Sequence, residues 1–265
     1  MQDPTFRLFA DSTEFPLSSP FRLVYESDLS LNPSLNCLFI KYFPASAQAV
    51  LASSSRLRLL VDDNLLCEGQ VRSVIRHAGD AYPTRILFSP VCNPSASALS
   101  LSLPANITLK NALSEICDMA RPQIPVNLSN IPDMILYRPQ SWYGEALEAI
   151  QALSRAAKLV PYIDSDTLRF VPLASSVPEN SADIILTEED LTSPEEDLTV
   201  PETFTPFEHD LCLHTRLKSW PLGAIVDLRT DRLSLRGRIL GQSLMLDSAK
   251  GRYDSAIFLG AVKEP

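Results

Sequence analysis

At 265 residues and 45% hydrophobic content, the chain is long enough for two modest domains with real cores, which excludes disorder throughout. Its 21 prolines against 8 glycines fit the short, stiffened connections of a loop-rich β protein and exclude collagen-like or linker composition. The net charge of −9 is local: no Lys or Arg lies between Arg169 and Arg216, where eleven of the 32 carboxylates gather, so the rest is near charge balance and lacks the basic face of a sequence-specific nucleic-acid binder.

In chain order, Phe6 to Phe9 and Phe21 to Glu26 read as strands, separated by a Pro-Ser loop from Pro16 to Pro20. Cys37, Phe39, Lys41 and Phe43 alternate with Leu38, Ile40 and Tyr42, a strand apolar on both faces and therefore central, ended by Pro44. Residues 45–54 have the alanine content and length of a short helix covering one end of a barrel. Leu57, Leu59 and Val61 form a strand that turns at Asp62-Asp63-Asn64 into a second, from Leu65 to Arg76, and Arg85 to Ser89 completes a first barrel.

Thr108 is placed to cap a helix in which Leu109, Ala112, Leu113, Ile116 and Ala120 make one apolar stripe, stopped by Pro122. Pro125 to Leu128 and Met134 to Tyr137 read as extended, and Ser141 as the cap of a second helix whose Ala146, Ile150, Leu153 and Ala157 face one way. Val160 to Ile163, a turn at Asp164-Ser165-Asp166, and Leu168 to Pro172 form a hairpin.

Ala174 to Asn180 reads as a linker and Asp183 to Leu186 as a strand. Glu188 to Glu202, with Pro194 and Pro201, reads as a long irregular loop, and Phe204 to His214 as the return to a last barrel. Pro221 to Leu259 has the period-two pattern of four short strands joined by tight turns. The expected fold class is α+β, mainly β: two small antiparallel β-barrels, at 1–103 and at 175–265 with the acidic loop, separated by a small α+β module at 104–174. No internal repeat is visible in the residues themselves.

The motifs of common catalysts are missing: no GxSxG elbow, HExxH helix, P-loop or GxGxxG occurs. His77, His209 and His214 are too few for most nucleophilic or metal designs. In His209-x-x-Cys212-x-His214 only Cys212 and His214 share a strand face, so the run is read as strand residues rather than a zinc site. No catalytic, metal or cofactor-binding residue is therefore assigned, and no cofactor is expected. Glu188, Glu189, Asp190, Glu195, Glu196 and Asp197 could supply a glycosidase-type carboxylate pair, but on a proline-containing loop they read as a solvated face. Arg236 and Arg238 share one strand face, with Arg252 on the next strand but one. They form either an ordinary polar face or a subunit contact pairing with a neighbour's carboxylates. Trp142-Tyr143 and Trp220 read as packing residues at helix and barrel starts.

The five cysteines, Cys37, Cys67, Cys92, Cys117 and Cys212, are odd in number, lack a CxxC pair and read as small buried apolar residues in a reducing compartment. MQDPTFRLFADS has no basic stretch leading into an apolar core, and no run approaches the roughly 20 apolar residues of a membrane span, so assembly in a cytoplasm without membrane insertion is expected.

The stretch from Pro221 to Leu259 also carries a resemblance. Its Pro-x-Gly, valine-rich strand, short hairpin, Gly-Arg strand and Gly-Arg-Tyr turn resemble the second barrel of bacteriophage tail baseplate hub proteins, the tube-to-spike family related to the hub domain of type VI secretion spikes. FRLVYESDLSLNPSLNCLFIKYF and RLRLLVDDNLLCEGQVRSV resemble the first barrel. ITLKNALSEICDMA and SWYGEALEAIQALSRAAKLVPYIDSDTLRFVP are similar to the small module between the two. The resemblance implies a homotrimer whose two barrels per subunit alternate around a pseudo-sixfold ring. The ring matches a sixfold tail tube on one side and a threefold spike or fibre on the other. It implies a virion tail location, DNA passing through without specific binding, and no catalysis. No stretch of these residues resembles an appended lysozyme or peptidase region, so the spike and any wall-degrading activity are expected to belong to another protein. The acidic residues named above are then candidates to line the bore, where negative charge keeps the duplex from sticking. Two alternatives stand beside it: a small cell-wall hydrolase of the tail using the acidic loop, and a receptor- or carbohydrate-binding tail protein showing an exposed aromatic platform.

Overall fold

Alternation decides which residues enter the sheet. In the computed structural model, which describes residues 4–31, 34–75, 83–90, 94–164, 166–172, 182–192, 211–230 and 234–261, the chain opens with β1 (Phe6–Ala10), β2 (Thr13–Pro16), β3 (Phe21–Asp28) and β4 (Asn36–Ile40). Leu8, Ala10, Phe21, Leu23, Leu38 and Ile40, the inward residues of three of these strands, share one core. The last strand stops at Ile40 instead of reaching Phe43, because Tyr42 takes a positive φ of 53° and turns outward. Helix α1 (Ala45–Ser53) buries Leu51 in the same core. Strand β5 (Arg56–Val61) turns through Asp62 and Asp63, both at positive φ, into β6 (Asn64–Ile75), the geometry of a tight hairpin that suits the strand twist. Strand β7 (Thr84–Ser89) follows.

The middle of the chain builds its own core. Strands β8 (Ala98–Leu103) and β9 (Ile107–Thr108) lead into α2 (Leu109–Met119). Strands β10 (Ile135–Leu136) and β11 (Gln140–Glu145) lead into α3 (Ala146–Ala156), and the hairpin of β12 (Leu159–Asp164) and β13 (Thr167–Pro172) closes the unit. Thr108 caps α2 as expected, its hydroxyl accepting from the Asn111 N–H at 3.2 Å, and the stripe from Leu109 to Ala120 is buried against Ile150 and Leu153 of α3. Ser141 is not a helix cap: it lies inside β11, paired with Ser102 of β8, and α3 begins after Glu145. The strand pairing satisfies the backbone that a cap would have served, and a Ser preceding apolar residues looks the same in either role.

The remaining strands are β14 (Ile184–Thr187), β15 (Leu211–Thr215), β16 (Ile225–Arg229), β17 (Ser234–Asp247) and β18 (Arg252–Ala261). The span 221–259 therefore holds three strands, not four. Across β17 the partner register steps from Ile239–Leu259 to Gly241–Phe258, so Leu240 is an extra residue and the inward face passes from Gly237 and Ile239 to Leu244 and Leu246. That parity change makes one bulged strand look like two in the sequence.

Two compact units result: Met1–Asp28, Ser34–Ser89 and Ala182–Ala261 in one, and Leu29–Pro33, Pro90–Ser181 and Val262–Pro265 in the other. In the first, the strands expected to form two separate barrels run together in one 12-stranded sheet, β14-β16-β17-β3-β4-β7-β6-β5-β1-β2, with β18 pairing both β17 and β15. The sheet is not closed by hydrogen bonds among the described residues, but it curls: the rings of Phe6 on β1 and Phe21 on β3, far apart in strand order, lie 5.0 Å apart. The expected linker at Ala174 to Asn180 lies outside the described residues.

Candidate functional site

The first unit contains the same strand set twice. β5-β6-β7-β4 and β16-β17-β18-β15 are each four antiparallel strands in the same order of pairing and the same order along the chain. Their registers coincide except toward the first hairpin turn, where β5–β6 carries an extra residue at Leu66 that β16–β17 lacks. Leu57 faces Gly69 and Val226 faces Gly237. Three residues past each glycine an extra residue, Arg72 or Leu240, bulges the long strand. Beyond the bulge Ser73–Leu87, Val74–Ile86 and Ile75–Arg85 match Gly241–Phe258, Gln242–Ile257 and Ser243–Ala256. Leu38–Ile86 and Leu213–Ile257 match in the fourth strand, which aligns Cys37 with Cys212. Even the approach of the glycines agrees: a Cβ on Gly69 would stand 2.9 Å from the Ser89 carbonyl oxygen, and one on Gly237 3.3 Å from that of Gly260, equivalent positions. The flanking segments follow too, since Phe21 of β3 pairs with Ile40 of β4 and Leu191 bridges Thr215 of β15. The sets differ at the other end, where β1 runs antiparallel to β5 while β14 runs parallel to β16.

β3 joins the two sets. Its Arg22–Asp28 pairs with Asp247–Gly241 of β17, on the same edge that carries β16 further up the strand. Gly241 admits the crossing because a Cβ there would lie 3.1 Å from the Ser27 carbonyl oxygen. Opposite it, the Asp28 carboxyl is pushed up to about 6 by burial, with the nearby Glu26 charge adding to the rise. A buried polar cluster steadies the second set behind this seam. The Trp220 indole donates to Thr215 Oγ1 at 3.0 Å, Thr215 and Ser255 hydroxyls lie 3.1 Å apart, and Gln242 Oε1 accepts from the Trp220 backbone N–H at 3.1 Å. Gly69 and Gly237 entered the sequence reading only as strand residues, not as equivalent positions, and the seam was not foreseen; the shared Cys-Leu pairs at 37–38 and 212–213 and the two strand glycines were the available signal.

The acidic candidates divide. Glu188, Glu189 and Asp190 form a 3-10 turn after β14; the first two are exposed, and Asp190 Oδ2 accepts from the Thr187 N–H at 3.0 Å and lies 3.2 Å from its hydroxyl. Glu195, Glu196 and Asp197 lie outside the described residues. Of the arginines, Arg252 is exposed with its Nε 2.6 Å from Asp254, Arg236 is half-buried facing Asp227 in register, and Arg238 is only 4% exposed with a guanidinium N–H reaching the Gly223 carbonyl at 3.5 Å. Cys212 is buried, and burial pushes its thiol up, as it does for Cys67; His77, His209 and Cys92 lie outside the described residues. Among the described residues no three His, Cys, Asp or Glu side chains gather as a metal site would require. Trp220 is buried as expected, and Trp142 packs partly against the second core. Its neighbour Tyr143 alternates outward and is 90% exposed.

No protein-family model and no curated protein matches the sequence. Solved structures do match over nearly the whole chain. A tail protein from Neisseria meningitidis superposes with a TM-score of 0.64 at 12% identity, covering 97% of this chain and 96% of its own. The 43 kDa tail protein of a Shewanella oneidensis prophage gives 0.63 at 9% identity, over 97% and 98%. An E. coli component of the type VI secretion system, described as structurally similar to bacteriophage tail proteins, gives 0.58 at 11% identity, over 97% and 79%. The chain therefore has the fold of these phage tail proteins and of the type VI secretion component.

Proposed function

We propose that this chain is a structural tail protein of a virion, a baseplate hub that joins a sixfold tail tube to a threefold tail tip or spike. The observation that carries the proposal is the repeated strand set, with the same pairing order and the same bulge three residues past each glycine. Three subunits each holding two near-equivalent sets present six similar surfaces to one neighbour and three to the other, which is the symmetry conversion the junction needs. In this reading each set belongs to a small barrel. The first curls so that Phe6 meets Phe21, and the second is drawn together where Leu191 bridges Thr215, one at each end of the chain with the α+β module between. The task needs no catalytic step and no cofactor. DNA passes through the ring unbound, with Glu188, Glu189 and Asp190, and the following Glu195, Glu196 and Asp197, keeping the bore negative. Arg236 and Arg252 contribute to subunit contacts, whereas Arg238 is buried within its own chain, and the ring assembles in the host cytoplasm.

Native mass spectrometry of the full chain, alone and with the tail-tube and spike proteins of the same phage, tests the proposal. A trimer, alone or on addition of a neighbour, is expected; a chain that stays monomeric with both neighbours overturns it. Tyr143 and the 76% exposed Tyr137 favour a second reading, a receptor-binding tail protein, which binding to host surface glycans by the isolated monomer would support. Zymography on peptidoglycan separates both from a wall hydrolase.

A further inference from the structure

Two exposed patches of this chain carry charges that nothing beside them answers, and each patch supplies what the other lacks. The first lies on the side of the large sheet turned away from its core. There the register lines up Arg22 of β3, Phe39 of β4 and Arg85 of β7 in one row across adjacent strands. The next row on that side, Met245, Val24, Cys37 and Leu87, is apolar across four strands, and Met245 is 41% exposed. Solvent-facing strand positions are ordinarily polar, so an apolar row here marks a side of the sheet that a partner covers. The Arg85 guanidinium lies over the Phe39 ring, 5.8 Å from its centroid, and its Nε donates at 3.3 Å to Cys37 Sγ, a weak acceptor. Arg22 and Arg85 are exposed and no carboxylate among the described residues pairs with either, whereas Arg252 and Lys250 close by are answered by Asp254 and Asp247. In the second set the row reads His214 and Ala256 instead, so these paired cations occur once per chain.

The second patch is on the outward face of the β8–β11 ribbon. Ala98, Ser100 and Ser102 there stand opposite Glu145, Tyr143 and Ser141, so the 90% exposed Tyr143 rises from a bed of mostly small side chains. Glu145 shares its face. Glu148, in the first turn of α3, brings Oε2 to 4.0 Å from where a Cβ on Gly144 would stand, beside the tyrosine. Both glutamates are exposed, and no cation among the described residues pairs with either.

We infer that the Tyr143 patch of one copy docks on the Arg22–Phe39–Arg85 row of a second copy. Standing two strands apart, the arginines are separated by roughly 10 Å, which admits one aromatic ring between their guanidinium groups. The tyrosine ring covers Phe39 and the apolar row behind it and stacks against arginine, while Glu145 and Glu148 pair with Arg22 and Arg85. Tyrosine and arginine seated on an apolar floor are the residue types that anchor interfaces. The occupant is a second copy because the chain itself carries both the unanswered cations and the unanswered carboxylates. Each patch occurs once per copy, so the contact is heterologous: every copy offers its tyrosine to one neighbour and its arginine row to the other. Three such contacts close the ring proposed above. The inference therefore rests on the hub reading and names the surfaces through which its subunits join.

Analytical ultracentrifugation of the full chain, with the tube and spike proteins added if the chain alone stays monomeric, reads the concentration at which trimers form. Tyr143→Ser places one more serine among those of the ribbon and leaves the fold intact. That change, and the double reversal Arg22→Glu with Arg85→Glu, are each expected to raise the concentration at least about tenfold without moving the melting temperature. Glu145→Arg with Glu148→Arg does the same alone, and in one chain with the arginine reversals it restores assembly to within about threefold of the parent. A trimer unmoved by Tyr143→Ser or by the arginine reversals overturns this docking and leaves the hub reading standing. Reversals that each weaken assembly but do not restore it together overturn the pairing as well. A parent chain that stays monomeric with both neighbours overturns the hub reading and this inference with it.

Discussion

Leu246→Ala tests whether the N- and C-terminal segments form one cooperative sheet. Leu246 belongs to the C-terminal strand β17, but it is fully buried among Leu8, Leu23, Leu38, Ile86 and Phe88 of the N-terminal strands. Truncation removes three carbons, worth about 2.5 kcal/mol of transfer free energy, and the cavity left behind raises the cost to about 3 kcal/mol. For a unit of this size each kcal/mol lowers the melting temperature by roughly 2–4 °C, so a drop of roughly 6–12 °C is expected. Met245→Ala, one residue away on the opposite and partly exposed face, should cost less than about 1 kcal/mol. The chain has two tryptophans, and in a Trp142→Phe background Trp220 alone reports on this sheet. Thermal melts followed by its fluorescence should show one transition displaced by Leu246→Ala and nearly unmoved by Met245→Ala. Equal shifts for the two variants, or a Trp220 transition that ignores Leu246, would refute a shared core.

Gly69→Ala should cost roughly 1–3 kcal/mol, because the new Cβ meets the Ser89 carbonyl oxygen at 2.9 Å and backbone cannot yield cheaply; chemical denaturation measures it. Gly251→Ala, at φ +62° but with open space around it, should cost only about 1 kcal/mol of left-handed strain in the same assay. Asp28 has a folded-state pKa of about 6, above its unfolded value, so its contribution to stability is fully present below about pH 4 and is lost as pH rises through 6. Asp28→Asn should therefore melt higher than the parent at pH 8 and level with it near pH 4. Thr108→Ala removes the cap of α2 and should lower the stability of the second unit by about 1 kcal/mol, read from Trp142 fluorescence in a Trp220→Phe background.

Among the described residues, most strands and the three α-helices were legible because their periodicities are clean, as in Leu57-Leu59-Val61 or the stripe from Leu109 to Ala120. Three kinds of feature were not. The bulge at Leu240 inverts the alternation and splits one strand in two. Strand β8, in SALSLSL, carries a faint alternation whose meaning depends on β11, forty residues away in sequence and itself mistaken for the approach to a helix. The merging of the strands into one sheet depends on which strands meet, and β3 with β17 is a long-range pairing that no local pattern encodes.

The repeat itself hid from the sequence because register, not side-chain identity, is what it preserves. The offset between equivalent residues changes from strand to strand: Cys37 answers to Cys212, Gly69 to Gly237 and Ile86 to Ile257, with loops of unequal length between. A fixed-period search therefore finds nothing. What survives is confined to positions where backbone approaches backbone, the two glycines and the residue bulged three places beyond each, because there any Cβ or any lost residue would disturb the ladder itself. Core positions only had to remain apolar, and Phe88 could become Leu259 without cost to the pairing. The places where the sets diverge are equally informative. The antiparallel β1 with its β2 hairpin and helix α1 mark the first set, and the parallel β14 with its acidic turn marks the second. In a ring of alternating sets, those features recur three times rather than six. In the ring proposed above, these features would be what lets a threefold partner be told from a sixfold one.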